Sequence, residues 1–266
     1  LRVEKTPAKP GPAALRVEHL QVKNEQDLLA VKDVSFELHT GEIVGFAGVE
    51  GNGQSEMIEA LAGTRPVLSG HVWLGDREIT NAGARKTRRA GMGHIPEDRR
   101  GTGLILNYSI ADNLIFGRQR EPRFSWHAFV LKLGNILEWA QRLIKQYDVR
   151  TRSYETPARS LSGGNQQKVI VARELASEPK VLLASQPTRG VDIGAIEFIH
   201  RQLVAQRDAG AAILLVSAEL EEIRSLSDRI AVMYEGRIVE IVPPETDEDR
   251  LGLLMTGGGQ KREHSA

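Results

Sequence analysis

Apolar and polar residues alternate along LRVEHLQV (15–22) and VKDVSFEL (31–38), the period of strands with one face buried. EIVGFAG (42–48) is more continuously apolar and stops in a glycine-rich loop, which predicts a buried strand feeding a turn. SEMIEALAG (55–63) has helical spacing and ends on a glycine suited to a helix C-cap. GHVWLGD (70–76) reads as a strand running into a turn, and GMGHI (91–95) as a short buried strand before Pro96.

From about 107 to 157 the pattern changes. Helical runs such as SIADNLIF and the long WHAFVLKLGNILEWAQRLIKQY (126–147) dominate, with few strand signals. Beyond it the spacing predicts helix 165–178, strand 180–184, helix 193–208, strand 211–216 and helix 219–226. A hairpin, IAVMYEGRIVEI (230–241), then turns on Glu235-Gly236. Strands alternating with helices predict an α/β core around a mainly parallel sheet, with an antiparallel β patch near the N-terminus and an inserted helical segment. No short-period internal repeat is present.

The 266 residues suffice for one large domain or two small ones. Lysine plus arginine equals aspartate plus glutamate at 35 each, so bulk charge gives no argument for nucleic acid. There are no cysteines, which excludes disulfides and thiolate metal sites, and the seven histidines form no close pair for zinc. No apolar run reaches bilayer-spanning length. LRVEKTPAKPGPAA (1–14) lacks the apolar core of a signal peptide and has linker composition; the chain is expected to begin inside an interdomain linker of a longer polypeptide, with a floppy native N-terminus as the alternative that composition does not separate. Residues 15–245 are expected to form the folded domain, with a helical subdomain at about 104–160. Residues 246–266 are read as a C-terminal tail whose end, TGGGQKREHSA, looks disordered.

GVEGNGQS (48–55) fits the glycine spacing of a phosphate-binding P-loop between a buried strand and a helix. Gly48, Gly51 and Gly53 would let backbone N–H groups around Asn52 turn inward and cradle phosphates at a helix N-terminus. The expected lysine is Gln54, and a lost charge-assisted bond is worth about 1.5–3 kcal/mol. Ser55 remains to hold Mg²⁺. A ligand-free glycine turn is the competing reading, which the strand–loop–helix setting modestly disfavours.

RSLSGGNQQKVIVAREL (159–175) is more specific. Ser162 can cap the following helix, and Gly163 and Gly164 expose backbone N–H groups beside it, making an anion site at a helix N-terminus. The eight residues LSGGNQQK resemble the signature motif of the ATP-binding cassette (ABC) ATPases. The resemblance covers about residues 15–245 in the expected order: altered P-loop, a Q-loop-like segment at Glu97, signature, altered Walker B strand, D-loop at Asp192 and a switch segment near Ala218. IPEDRRGTGL, LSGGNQQK, QPTRGVDIGAIEFIH and LGLLMTGG are similar to the second half of fused double-cassette importers of monosaccharides and nucleosides, and SQPTRG with GAIEFIH tilts towards the nucleoside branch.

That resemblance implies a RecA-like P-loop NTPase core and a head-to-tail cassette dimer that sandwiches ATP with Mg²⁺. Each site there joins the P-loop and Walker B of one cassette to the signature of the other. It also implies an N-terminal cassette, membrane permease subunits and indirectly an external solute-binding protein as partners. The expected location is peripheral, on the cytoplasmic face of the cell membrane, with no nucleic acid. In LLASQPTRGVD (182–192) the metal-side aspartate is replaced by Ser185 and the general-base glutamate by Gln186. Gln186 can orient a water but cannot take its proton, and general-base work is worth about 10²–10⁴-fold in rate. Ala218 replaces the switch histidine, Glu97 the Q-loop glutamine, and no aromatic residue precedes Phe36 to stack on adenine. The changes fall on this chain's own hydrolytic half, while Leu161, Ser162, Gly163, Gly164, Asn165 and Gln166 remain whole to complete a partner's site. The expected function is therefore an importer cassette with an impaired site of its own. The alternatives are an active ATPase rescued by neighbours such as Asp98, or a non-transport ABC interaction module.

Other features have bland readings beside functional ones. The basic run with Arg85, Lys86, Arg88, Arg89, Arg99 and Arg100 is a solvated face by default and, by the resemblance, meets a permease together with the helical insertion. Asp192, near Arg189, can cap helix 193–208 whatever else it does. Trp126 and Trp139 read as core or interface residues.

Overall fold

The structure, a computed structural model, describes residues 3–258. In chain order the elements begin β1 (Ala13–Lys23), β2 (Leu29–His39), β3 (Ile43–Ala47), α1 (Gln54–Ala62), β4 (Val67–Leu74), β5 (Arg77–Glu78), α2 (Ala84–Ala90) and β6 (Met92–Ile95). Next come α3 (Ile110–Leu114), β7 (Ser125–Trp126), β8 (Val130–Leu131), α4 (Leu133–Gln146) and α5 (Gly163–Leu175). The remainder is β9 (Val181–Ser185), α6 (Ile193–Asp208), β10 (Ala212–Val216), α7 (Leu220–Leu226), β11 (Arg229–Tyr234), β12 (Arg237–Val242) and α8 (Glu248–Met255). Two compact units result. The first holds the residues up to His94, Pro179–Gln186 and those from Leu203 on; the second holds Ile95–Glu178 and Pro187–Gln202.

The first unit carries a six-stranded sheet in the order β12-β11-β3-β10-β9-β6. Every residue of β3, β9 and β10 is buried, as continuous apolar strands in the middle of a parallel sheet must be. β10 runs parallel to both β3 and β9, with Val216 opposite Phe46 on one side and Ser185 on the other. The three strands therefore finish level, and the loops after them emerge at one edge, the carboxyl edge where α/β sheets bind ligands. α7 lies over β3 because Gly45 has no side chain; a Cβ there would run into Ser227 Oγ and Ile223.

A second sheet, β2-β1-β4-β5, is antiparallel throughout. Its inward residues Val17, Leu20, Val34 and Phe36 share a core with Met57, Ile58 and Leu61 of α1 and with Val44 and Phe46 of β3. Phe36 and Phe46 meet edge to face at 5.0 Å. Each such side chain contributes about 1.5–3 kcal/mol on burial, which clamps α1 between the sheets. Arg207, 1% exposed, donates to Asp228 Oδ1 at 2.9 Å, and the same oxygen takes Lys5 Nζ at 3.0 Å. Residues of the segment read as a linker are thus held: Lys5 also donates to Leu226 O, Arg207 to Thr6 O, and Gly11 N to Thr40 O. Burial pulls the Lys5 ammonium below its usual pKa against the opposing pull of Asp228.

In the stretch from 246 on, read as a tail, Asp247 caps α8, which packs against β11. Residues 259–266, most of the segment read as disordered, lie outside the described residues. The helical insertion read at about 104–160 lies in the second unit, which extends beyond it on both sides. There α3, α4 and α5 pack on one another, and Ile110, Leu114, Ile136, Leu143 and Val169 are among their buried residues. The long helix expected from Trp126 begins only at Leu133. Residues 125–131 instead form the β7–β8 hairpin, because His127 and Ala128 take left-handed φ of 51° and 64° and Lys132 N closes on Phe124 O at 2.8 Å. Likewise α5 starts at Gly163 rather than 165, so Gly163 and Gly164 form its first turn.

Candidate functional site

The loop after β3 opens into α1 through Gly51 at φ 88° and Gly53 at φ 97°, conformations that L side chains rarely adopt. A Cβ on Gly53 would collide with Ala30 O, and one on Gly48 with the Gln54 amide. No side chain caps the N-terminus of α1. The buried Gln54 folds back over the loop and donates to Val49 O at 3.4 Å. Asn52 braces the loop: its Oδ1 accepts Glu235 N at 2.7 Å, and its carbonyl accepts Gly236 N at 3.2 Å. The β11–β12 turn thus holds the 48–55 loop in shape, a support that no local pattern announces. An uncapped helix end behind positive-φ glycines fits a phosphate group.

Ser185 ends β9 with 2% exposure. Gln186 follows at φ 49°, its N–H bonded to Val216 O at 2.7 Å and its Oε1 accepting Ala218 N at 3.0 Å. Two of the substituted positions are therefore joined to each other, leaving the Gln186 amide with donors but no basic lone pair. For Mg²⁺ the chain offers the Ser55 hydroxyl and, at the end of β9, a hydroxyl in place of a carboxylate, a poor set for a hard cation. Among the described residues no group of three His, Cys, Asp or Glu could hold a metal.

In the second unit Ser162 caps α5, its Oγ accepting Asn165 N at 3.4 Å and Asn165 Nδ2 at 2.9 Å. Asn165 Oδ1 in turn holds Arg150 N at 2.7 Å, and Gln166 donates to Ala158 O at 3.0 Å. The expected cap is present, and it leaves the glycine face of the helix end tightly backed. A Cβ on Gly163 would sit 3.2 Å from Arg99 Nη2, and one on Gly164 would sit 2.7 Å from Asp192 Oδ2. Asp192 caps α6 by accepting Ala195 N at 2.9 Å, as the sequence predicts. Lys168 is turned to structure, donating to Asp148 Oδ2 at 2.8 Å; that contact holds the Asp148 carboxyl below its usual pKa. Leu161 is half-buried at the start of the motif.

Glu97 forms an ion pair with Arg189, so the acid expected to load the site with negative charge is compensated by the D-loop segment. Arg99, whose pKa burial and the adjacent Arg100 push down, donates to Arg189 O at 3.2 Å. Sequence reading missed this Glu97–Arg189–Arg99 linkage, because pairs about ninety residues apart leave no periodic signal. Asp98, a possible stand-in base, accepts Arg100 N at 3.0 Å and Gly101 N at 2.9 Å and so caps its own turn. Trp139 is buried, and Trp126 is 55% exposed.

A mainly parallel α/β core with a glycine-rich loop at its carboxyl edge, and a second unit with a capped Ser-Gly-Gly helix end, are the parts of a nucleotide-binding cassette. Residues 31–189 match the ABC transporter family, and the chain belongs to it. It is 49% identical over 98% of its length to the guanosine import ATP-binding protein NupO of Bacillus subtilis, of which it covers 51%. To the nucleoside import ATP-binding protein NupA of Lactococcus lactis it is 44% identical over 96% of its length, covering 50% of that protein. The chain spans about half the length of the curated relatives it matches. Among solved structures, MJ1267, an ATP-binding cassette of an ABC transporter, superposes with a TM-score of 0.75 at 22% identity, over 91% of this chain and 96% of that one. Among the described residues no helix is long and apolar enough to cross a membrane.

Proposed function

We propose that this chain is the second cassette of a double-cassette importer for nucleosides or sugars, and that it completes its partner's ATP site while hydrolysing little or no ATP itself. The names and relative lengths of NupO and NupA support the nucleoside branch and the fused arrangement. ATP with Mg²⁺, when bound, supplies the phosphoanhydride bond whose cleavage drives transport. This chain's residues divide the work unequally. The glycines of 48–55 and the α1 N-terminus receive phosphate weakly, lacking a lysine charge. Gln186 can only position water, and Ala218 brings no side chain to a γ-phosphate. The α5 N-terminus presents Ser162 and the N–H groups of Gly163 and Gly164 to the triphosphate of an N-terminal cassette. Permease subunits and an external solute-binding protein complete the assembly, with this chain peripheral on the cytoplasmic face of the membrane.

The observation that carries this reading is the Gln186 Oε1–Ala218 N bond, which occupies the base position with an amide locked to the backbone. The test is ATPase activity of this chain mixed with an intact N-terminal cassette, wild type against Ser162→Arg. Turnover should be low for the lone chain, rise in the mixture, and fall by about 10²-fold or more with Ser162→Arg, as when donors to transition-state charge are removed. Unchanged turnover in the variant mixture would remove the donated-signature role.

A further inference from the structure

We infer that the β7–β8 hairpin and the start of α4 form a docking surface for an anionic lipid bilayer. Trp126, Phe129, Val130, Leu131 and Leu133 are between 44% and 88% exposed, with Phe129 at the hairpin tip the most exposed of them. An apolar cluster of this kind on a monomer's surface marks an interaction site. The left-handed backbone at His127 and Ala128 forms the turn that carries Phe129.

Charge selects the partner. Between Glu121 and Glu138 the chain has no acidic residue, while Arg123, His127 and Lys132 supply basic ones. Lys132 lies 5.2 Å from the Trp126 ring centre and donates to Pro122 O at 2.7 Å, which puts its ammonium at the base of the hairpin. Exposed tryptophan and phenylalanine above a cationic collar is the arrangement of segments that lie in the headgroup region of a membrane.

Behind the hairpin is a cavity of about 240 Å³ lined by Arg123, Asn135, Glu138, Trp139 and Arg142. Asn135 Nδ2 donates to Arg123 O at 2.9 Å, tying this cavity to the hairpin stem. The guanidiniums of Arg123 and Arg142 lie 4.5 and 4.3 Å from the Trp139 ring centre, and neither makes an ion pair among the described residues. Trp139 is 5% exposed, and its Nε1 is buried with no hydrogen-bond partner. The two guanidiniums outweigh the single carboxylate of Glu138, so the cavity suits a lipid phosphate while the tip enters the acyl boundary.

Vesicle co-sedimentation tests it. The chain should pellet with vesicles of phosphatidylglycerol and phosphatidylcholine, less so as salt rises, and stay in solution with phosphatidylcholine alone. Phe129→Ser combined with Val130→Ser should lower partitioning about tenfold or more at an unchanged melting temperature, since both residues are solvent-facing. Arg123→Gln with Arg142→Gln should weaken the preference for anionic vesicles. Brominated lipid should quench fluorescence in the wild type but not in Trp126→Phe. The inference is overturned if anionic vesicles leave the protein in the supernatant, or if the tip variant partitions like the wild type. Competition by inorganic phosphate with no tip dependence would also overturn it. So would tip-dependent binding of a detergent-solubilised membrane protein without binding to vesicles.

Discussion

Gln186 Oε1 accepts the backbone N–H of Ala218 at 3.0 Å, so the residue after β9 is tied by its side chain to the backbone of the loop after β10. A glutamate at 186 could accept the same N–H and still have a basic oxygen. Ser185 beside it is 2% exposed, and an aspartate there would be a buried charge that wants a cation. Gln186→Glu alone should therefore change little. With Ser185→Asp added, phosphate release in MgATP by this chain paired with an N-terminal cassette whose own general base is removed should rise by about 10²-fold or more, the scale of general-base catalysis. A rate that stays at background in the double variant would mean that the two positions at the end of β9 do not set the turnover of this chain.

Much of this arrangement was legible in the sequence wherever local pattern decides structure. The buried strands β3, β9 and β10 are continuous apolar runs, α6 was read at Ile193–Asp208, and the hairpin turn at Glu235-Gly236 followed from its alternation. The span 126–132 was misread because an apolar stretch carries no clear period when most of its side chains face solvent instead of a core. Tertiary pairs were invisible for a different reason. Glu97 with Arg189 and Asn52 with Glu235 are joined by folding across the chain, and no spacing rule connects them.

Gly164 is set by a close approach rather than by its φ. An added Cβ would lie 2.7 Å from Asp192 Oδ2 and 3.1 Å from Ala195 Cβ. Asp192 cannot swing away freely, because its other oxygen caps α6 through Ala195 N at 2.9 Å. Gly164→Ala should cost about 1–2 kcal/mol, the worth of a lost N-cap with some strain, measured by chemical denaturation. Asp192→Ala should lose the cap by itself, and adding Gly164→Ala to it should cost little more. Simple additivity of the two would show that they do not meet.

Glu42 links the antiparallel sheet to β11 and makes the fold sensitive to acid. Its side chain is 2% exposed and accepts His39 N at 2.6 Å, Arg229 Nη2 at 2.7 Å and Arg229 Nε at 3.0 Å. Burial by itself would raise its pKa, but the bonds from Arg229 and His39 outweigh burial and hold it below the ordinary 4.5. Protonation is thus harder in the folded chain than in the unfolded one. The contribution of Glu42 to stability is fully present above the ordinary value and is lost as pH falls through the depressed folded value. Arg229 is 36% exposed on its side chain, so solvent screens part of the attraction. Glu42→Gln should destabilise the protein at neutral pH by about 1–3 kcal/mol. The gap to wild type should then narrow steadily under acid titration, followed by urea denaturation at each pH. A gap that stays constant into strong acid would mean that the carboxylate charge is not what joins Glu42 to Arg229.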